Sequence, residues 1–512
     1  MAGLLRSGAV VGSMTLISRG LGLVRDILIA ALLGAGGGAD AFFVAFRIPN
    51  LFRRLFAEGS FNQAFVPVLS EYATEGDKAE TKRLLDATAG SLALVLSILT
   101  VAAIAATPWL VWVFAPGFAK DPGRLSLTAE MLRITFPYLL LISLTAFCSS
   151  VLNSWGRFAV PALTPVFLNL SMIVSLLWVA PHLSIPAMGL AWAVLVAGLI
   201  QLFFQLPFLA KLQLLPRPWP DFKHPGVRRI LKLMLPALFG VSVAQINMLL
   251  NTMLASFLVT GSVSWLYYSD RLVDLPTGIV GVAIGTVILP ALSRGHASKD
   301  PVRFSRMIEW GLRSVIIVSL PASLAIFILA EPLLITLFHY GAMNNYDVVM
   351  TAKSLRALSF GMIGYMLIKV LAPGYYARQD TRTPVRIGIV AMASNIIFNL
   401  ILVWPMAHVG LALATVLASF VNAGLLGHGL IKRRILTLDK GMIKFLLQVG
   451  SGCVLLVAGL YLFVPSWQVW AQWHAIHRVM VMLLTIGISV VGYFGWLWIT
   501  GIRLSHFKMN VV

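Results

Sequence analysis

Residues 18–59 read SRGLGLVRDILIAALLGAGGGADAFFVAFRIPNLFRRLFAEG. This stretch is apolar enough to lie in a membrane, yet it is rich in charge. The charged residues are Arg19, Arg25, Asp26, Asp40, Arg47, Arg53, Arg54 and Glu58. An arginine at the centre of a bilayer costs about 2.5–3.5 kcal/mol on insertion scales. This cost indicates that the charged groups face a hydrated space within the protein and serve its function.

The composition is that of an integral membrane protein. The chain has 512 residues, of which 59% are hydrophobic and 11% are charged, whereas soluble proteins carry about 25% charged residues. Long apolar runs recur, which predicts α-helices rather than the alternating strands of an outer-membrane barrel. The net charge of +20 is spread through the loops between these runs. That distribution argues against nucleic-acid binding.

The apolar runs predict an all-α polytopic membrane protein with about 14 transmembrane helices. We place the helices at residues 10–34, 40–70, 85–114, 128–152, 160–180, 186–209, 232–258, 263–293, 307–330, 350–374, 384–403, 409–430, 442–464 and 479–501. Loop Lys and Arg residues concentrate on one side, and the other side holds only Lys120 and Arg124. The positive-inside rule therefore predicts that both termini are cytoplasmic. Pro49 and Pro276 predict kinks in the second and eighth helices.

An internal repeat divides the predicted helices into two sets of six. GLAWAV at 189–194 matches GLALAT at 410–415, and nearly the same offset carries Arg47 to Arg271. An even number of helices per copy gives both copies the same orientation, as in two-lobed transporters that bind substrate between the lobes. The predicted parts are an N-terminal lobe (1–210), a cytoplasmic linker (211–231), a C-terminal lobe (232–431), and two further helices with a cytoplasmic tail (432–512).

Helical spacing suggests partners for some of the buried charges. Arg19 and Asp26 are seven residues apart and share a face, so one interpretation of Arg19 is a contact with Asp26. Arg54 and Glu58 are four apart and can pair. Arg53 has no obvious local partner in the sequence.

Other cations divide by their position along the helices. Arg25 lies too far from either end of its helix to reach an interface, whereas Arg47 is expected near one. Arg271 can pair with Asp274 or with a group across the cavity, and Asp270 and Asp274 share a face. Cations near helix ends are expected to extend to the interface; these are Lys232, Arg313, Lys353, Arg386 and Arg478. Lys369 and Arg133 remain ambiguous.

The buried arginines predict an anionic substrate. A guanidinium offers a fixed fork of donors that suits phosphate oxygens, and it does not lose its charge. A cationic cavity at the membrane midplane therefore suits phosphate or pyrophosphate first, and carboxylate second.

Catalytic and metal-binding motifs are not apparent. The chain contains no P-loop and no nucleophile with a base, so we predict that it is not an enzyme. His474 and His477 lie among tryptophans and are interpreted as interfacial anchors rather than metal ligands. Two pairs of asparagines spaced four apart could ligate sodium or, in the simpler interpretation, form hydrogen bonds between helices. These pairs are Asn247 with Asn251 and Asn395 with Asn399.

Four strings closely resemble the MurJ (MviN) family of lipid II flippases, in the multidrug/oligosaccharidyl-lipid/polysaccharide exporter superfamily. They are SRGLGLVRD, DAFFVAFRIPNLFRRLFAEGSFNQAFVPV, GSVSWLYYSDRL and LAPGYYARQDTRTPV. The resemblance implies that Arg19, Arg25, Arg53 and Arg271 are the substrate-binding cations. It also implies that Asp26 and Asp40 gate or orient those cations, and Asn50 and Glu58 lie within the same matching string. Together with Asp270 and Asp274 on the eighth helix, these residues are the candidates for gating or charge balancing.

The resemblance further implies a substrate, a location and a mechanism. The substrate would be lipid II, an undecaprenyl pyrophosphate that carries the peptidoglycan precursor, moved across the bacterial inner membrane by alternating access. Membrane lipids and peptidoglycan polymerases would be partners, and coupling to sodium or to the membrane potential stays open. The last two helices would form a groove for the polyprenyl tail, with apolar faces that include Phe445, Leu446, Val454, Leu455, Leu483 and Ile486.

Three alternatives remain at this point. One is a flippase for a related polyisoprenyl-linked oligosaccharide. Another is a non-transporting scaffold for cell-wall assembly. The third is a drug/cation antiporter of the same superfamily, which predicts twelve helices and an acidic cavity.

Overall fold

A computed structural model describes residues 2–74, 77–297, 300–439 and 441–503. Every regular element within these ranges is helical, which confirms the predicted all-α membrane fold. Among the described residues, nine helices are long and apolar enough to cross a membrane. The count of about 14 helices and the cytoplasmic location of the termini stay predictions.

The helices form two compact units, divided between Ser264 and Trp265. The helices up to that division are α1 (Ala2–Leu33), α2 (Gly37–Phe52), α3 (Asn62–Thr74), α4 (Lys78–Ala105), α5 (Thr107–Phe114), α6 (Pro122–Thr135), α7 (Tyr138–Ser154), α8 (Ala159–Val174), α9 (Pro186–Lys211) and α10 (Pro225–Ser256). Those that follow are α11 (Ser262–Ala297), α12 (Pro301–Ile328), α13 (Ala330–Phe338), α14 (Asn345–Tyr376), α15 (Arg382–Lys432), α16 (Gly441–Phe463), α17 (Trp467–Gln472) and α18 (Ala475–Ile499). The first unit thus includes α10, and the lobe boundaries drawn from the repeat stay a prediction.

Several helices begin at an acidic or amide side chain. Asp77 accepts hydrogen bonds from the first turn of α4, Asp121 from that of α6, and Asp300 from that of α12. Asn344 and Asp347 form a reciprocal capping box at the start of α14. These side chains satisfy backbone N–H groups that the helix itself leaves unpaired, and so they set where each helix starts.

Two helices depart from regular α geometry where the sequence carries proline. Helix α2 contains Pro49 and continues into a π-helical segment, Arg53–Phe61, which leads into α3. Helix α15 contains Pro405 and is divided at Ala407, whose φ of 49° and ψ of −130° are not helical. This division separates α15 into two parts that correspond to the predicted eleventh and twelfth helices. The kink predicted at Pro276 stays a prediction, since α11 is helical on both sides of it.

The glycine of each repeated GLA motif lies close to the segment that precedes its helix. A Cβ on Gly189 would lie 2.9 Å from the Cβ of Ala180, in the segment that precedes α9. A Cβ on Gly410 would lie 2.1 Å from the carbonyl oxygen of Leu402, just before the break in α15. In each case the glycine allows a close approach of the helix to the segment before it, and the division into two repeated units stays a prediction.

The segment between α9 and α10 is fixed against α4. The N–H of Arg217 donates to Oδ1 of Asp86 at 2.7 Å, and a Cβ on Gly90 would lie 2.2 Å from the backbone of Trp219. Residues 214–221 form no regular element. The linker therefore follows α4 closely.

The last two long helices pack on α12 within the second unit. Phe445 and Val449 of α16, with Tyr493 and Leu497 of α18, surround Ile317. The Tyr493 hydroxyl donates to the carbonyl oxygen of Ile317 at 3.0 Å. The pair is thus attached to α12 by a buried apolar cluster.

Arg478 is buried, so the prediction that it extends to the interface is wrong. Its guanidinium donates to the carbonyl oxygens of Ala471 at 2.6 Å and Trp473 at 2.8 Å. It also reaches the carbonyls of Ile335 and His339, each at 3.4 Å. The protein backbone supplies the acceptors that water would otherwise provide, and this attaches the α17 region to α13.

Candidate functional site

Arg25 is held in place by two buried side chains. Its Nε and Nη2 both donate to Oδ1 of Asp26, at 2.9 and 2.7 Å. Its Nη1 donates to Oδ1 of Asn169 in α8 at 2.9 Å. Asp26 is fully buried, and Arg25 is 6% exposed. The charge that is most costly to place in a membrane is therefore balanced and oriented by the protein.

Arg19 lies two turns earlier on α1 and is half-buried. The interpretation that pairs Arg19 with Asp26 is wrong, because Asp26 pairs with Arg25. Within the described part of the chain, the Arg19 guanidinium forms no hydrogen bond or ion pair.

Arg53 has a local partner that the sequence analysis missed. Its Nε donates to Oδ1 of Asn50 at 3.0 Å, across one turn at the junction of α2 and the π-helical segment. The three-residue spacing is one at which helical side chains meet, so the sequence carried this signal. Arg54 is exposed, and its Nη1 lies 3.8 Å from the Sδ of Met248. The side chain of Glu58 lies outside the described residues, and its pairing with Arg54 stays a prediction.

Asp40 and Arg47 contact residues distant in sequence but within the first unit. Asp40 is 1% exposed and accepts hydrogen bonds from the N–H of Gly261 at 2.7 Å and from the N–H and Oγ of Ser264 at 2.9 and 2.6 Å. The Nη1 of Arg124 lies 3.6 Å from Oδ2 of Asp40. Asp40 therefore holds the first turn of α11 rather than an arginine of its own helix.

Arg47 is half-buried, and its Nη1 donates to Oγ1 of Thr252 in α10 at 2.8 Å. This contact joins α2 to α10. Arg47 therefore has a packing role, consistent with leaving it out of the predicted substrate-binding set.

The second unit carries the remaining predicted site residues on α11. Arg271 is half-buried, whereas Asp270 and Asp274 are exposed. Lys369 of α14, which the sequence left ambiguous, donates its Nζ to the carbonyl oxygen of Thr277 at 3.3 Å. Lys369 of α14 therefore contacts α11, the helix that carries Arg271.

An apolar cavity of about 380 Å³ lies between α11, α12 and α18 of the second unit. Its lining includes Pro276, Pro321, Leu456, Ile486 and Tyr493. Of the six apolar residues predicted for a groove, Ile486 lines this cavity and Phe445 is buried against α12, while the other four are exposed. An apolar lining of this kind suits a hydrocarbon chain.

The asparagines considered for sodium are divided between the two units. Asn399 donates to Oδ1 of Asn395 at 2.9 Å, and both side chains are buried within α15. Asn247 and Asn251 are half-buried on α10. In the described ranges, no group of three or more His, Cys, Asp or Glu side chains is arranged to hold a metal ion. Coupling to sodium or to the membrane potential stays a prediction.

Long apolar helices, with the buried and oriented Arg25 among them, define a polytopic membrane protein. The profile of the family described as "Lipid II flippase MurJ" matches residues 29–484. The "Probable lipid II flippase MurJ" of Vibrio cholerae serotype O1 is 45% identical over 512 residues, which is 99% of this chain and 98% of the relative. This chain belongs to the MurJ lipid II flippase family.

Solved structures agree on the fold. "Lipid II flippase MurJ, inward closed conformation" superposes with a TM-score of 0.81 at 24% identity, covering 96% of this chain and 98% of the other. The inward-facing multidrug resistance MATE family transporter of the MOP superfamily gives a TM-score of 0.66 at 15% identity, covering 81% and 94%. The predicted family is confirmed. The chain is a multi-pass protein of the bacterial inner membrane, and its relatives are named as transporters rather than enzymes.

Proposed function

We propose that this protein is a lipid II flippase that moves the undecaprenyl-pyrophosphate-linked peptidoglycan precursor from the cytoplasmic to the periplasmic leaflet. Family membership over residues 29–484 supports the proposal, as does the name of the relative at 45% identity. The kinship with MATE transporters in fold supports alternating access as its mechanism.

The pyrophosphate is bound by Arg19, Arg25, Arg53 and Arg271. The observation that carries this assignment is the buried, oriented guanidinium of Arg25, which Asp26 and Asn169 hold at 2.7–2.9 Å. A buried ion pair that served packing alone could be replaced, both partners together, by apolar residues with little loss. A fixed donor fork, in contrast, suits the two phosphates of the substrate.

Substrate can drive the conformational change only through contacts that differ between the two states. The arginine–pyrophosphate contacts supply that difference. The apolar cavity lined by Pro276, Pro321 and Ile486 takes part of the polyprenyl tail. The headgroup then crosses while the tail remains in an apolar environment.

Complementation of cells depleted of their own flippase tests the assignment. Arg19→Ala, Arg25→Ala, Arg53→Ala and Arg271→Ala are each expected to fail to support growth, and Arg25→Lys is expected to fail as well. Lysine retains the charge but loses the fork that contacts Asp26 and Asn169. Normal growth with at least three of the four alanine variants would refute the arginine cluster.

The accessibility of the lipid II headgroup from the periplasm tests transport itself. Cells that depend on this chain should lose periplasmic lipid II when it is depleted. An unchanged periplasmic pool would instead support a scaffolding role.

A further inference from the structure

Asn169 stands alone as a buried amide in an apolar part of α8. It is 6% exposed, and its neighbours in sequence are Phe167, Leu168 and Leu170. Helix α8 packs along α1, which carries Arg19 and Arg25. Asn169 therefore faces the helix on which two of the candidate substrate-binding cations lie.

Both ends of the Asn169 amide are engaged with α1. Oδ1 accepts from Nη1 of Arg25 at 2.9 Å, while Nδ2 donates to the carbonyl oxygen of Ser18 at 2.9 Å. Nδ2 also lies 3.4 Å from the Oγ of Ser18. Arginine can only donate and a carbonyl oxygen can only accept, so the partners fix the orientation of the amide.

The two contacts of Asn169 lie two helical turns apart on α1. One holds the guanidinium of Arg25, and the other holds the backbone immediately before Arg19. Asp26 adjoins Arg25 in sequence and engages Nε and Nη2. Asn169 alone, among the partners described for Arg25, comes from a different helix, and it engages the remaining nitrogen.

We propose that Asn169 is a positioning residue that sets the orientation of the Arg25 guanidinium for the substrate pyrophosphate. The consequence of this inference for transport rests on the proposed function. The orientation of Arg25, in contrast, can be measured without substrate. Asp26 supplies the balancing charge at Nε and Nη2. Asn169 holds Nη1 and so fixes the orientation of the guanidinium.

Labelling of Arg25 by phenylglyoxal, followed by peptide mass spectrometry, measures how firmly the guanidinium is held. Asn169→Leu should raise the labelling rate about tenfold, since it removes one hydrogen bond to a charged group. Asn169→Asp should restore slow labelling, because it keeps an acceptor for Arg25 although it cannot donate to Ser18. An unchanged rate in Asn169→Leu would overturn the proposal.

Gln201→Leu provides the matched control. Gln201 is 1% exposed, and its Nε2 donates to the carbonyl oxygen of Thr164 on α8 at 2.9 Å. The variant removes a buried amide contact to the same helix without touching Arg25. Arg25 labelling should match that of the wild-type protein, and an equal rise in both variants would show that Asn169 acts only through general packing.

Binding of purified lipid II in detergent connects the orientation to the substrate. Asn169→Leu should weaken binding about tenfold, and the double variant with Arg25→Ala should bind as weakly as Arg25→Ala alone. A further loss in the double variant would show that Asn169 does not act through Arg25. If Arg25→Ala alone leaves lipid II binding unchanged, the proposed function of the arginine cluster is wrong, while the labelling result still decides the role of Asn169.

Discussion

Arg25 and Asp26 are adjacent in sequence and meet through a single carboxylate oxygen, with Nε at 2.9 Å and Nη2 at 2.7 Å from Oδ1. Both residues are buried, so each compensates the desolvation of the other. Removing one partner from such a pair costs about 3–5 kcal/mol, because the other charge is left buried and uncompensated. Replacement of both by apolar residues is far less costly.

Asp26→Leu should therefore destabilise the protein more than the double substitution of Arg25 and Asp26 by leucine. Thermal unfolding in detergent, followed by intrinsic tryptophan fluorescence, provides the comparison. The double variant should unfold at the higher temperature of the two although it carries more changes. If the two substitutions simply add, Arg25 does not depend on Asp26 for its charge balance.

Asp40 should be important for stability because it holds the first turn of α11. It accepts three hydrogen bonds from Gly261 and Ser264, and bonds to a charged acceptor are worth about 1.5–3 kcal/mol each. Asp40→Asn should lower the unfolding temperature more than Ser264→Ala, which removes only the Oγ donor. Equal effects of the two variants would show that the hydroxyl bond carries the whole contribution.

The two glycines of the repeat should tolerate a methyl group differently. A Cβ at Gly410 meets a carbonyl oxygen at 2.1 Å, a Cβ at Gly189 meets Ala180 at 2.9 Å, and a Cβ at Gly424 meets nothing within 4 Å. Gly410→Ala should therefore destabilise most and Gly189→Ala less, within the roughly 1–3 kcal/mol range of overpacking. Gly424→Ala is the control and should be neutral or stabilising. A destabilisation by Gly424→Ala equal to that of Gly410→Ala would contradict the close packing.

Asp380, in the loop between α14 and α15, should make stability depend on acid pH. Hydrogen bonds from the Oγ1 and N–H of Thr383 and from Arg433 lower the pKa of Asp380 to about 2. The unfolded chain titrates near pH 3.9, so the contribution of this carboxylate is complete above that value and is lost as pH falls through the folded pKa. Wild-type protein should unfold at a higher temperature than Asp380→Asn at pH 7, and the difference should shrink between about pH 5 and pH 2. A difference that is constant over this range would show that ionisation of Asp380 is not involved.

Apolar runs and loop charge predicted the helical membrane fold, because the bilayer sets both helix length and hydropathy. The Arg53–Asn50 contact could also have been predicted from the sequence, since it depends only on spacing along one helix. The partners of Asp40 were not, because Gly261 and Ser264 are more than two hundred residues away and only tertiary packing brings them together. Asn169 looks like any asparagine in a membrane helix until α8 is placed beside α1.

Arg478 shows the limit of the rule for cations near helix ends. The rule expects the guanidinium to seek water, but α17 and α13 provide carbonyl oxygens that replace it. The position of these acceptors depends on how short segments fold back onto the long helices. Hydropathy carries no information about that arrangement.

The dissociation constant of purified lipid II for wild-type protein and for Arg25→Ala tests the central claim most directly. Arg83→Ala is the matched control, because Arg83 is an exposed arginine that pairs with Glu80 on α4. We expect binding to be at least about tenfold weaker in Arg25→Ala, the loss expected for a charged hydrogen bond, and unchanged in Arg83→Ala. Equal affinities in all three proteins would contradict recognition of the pyrophosphate by the buried arginines.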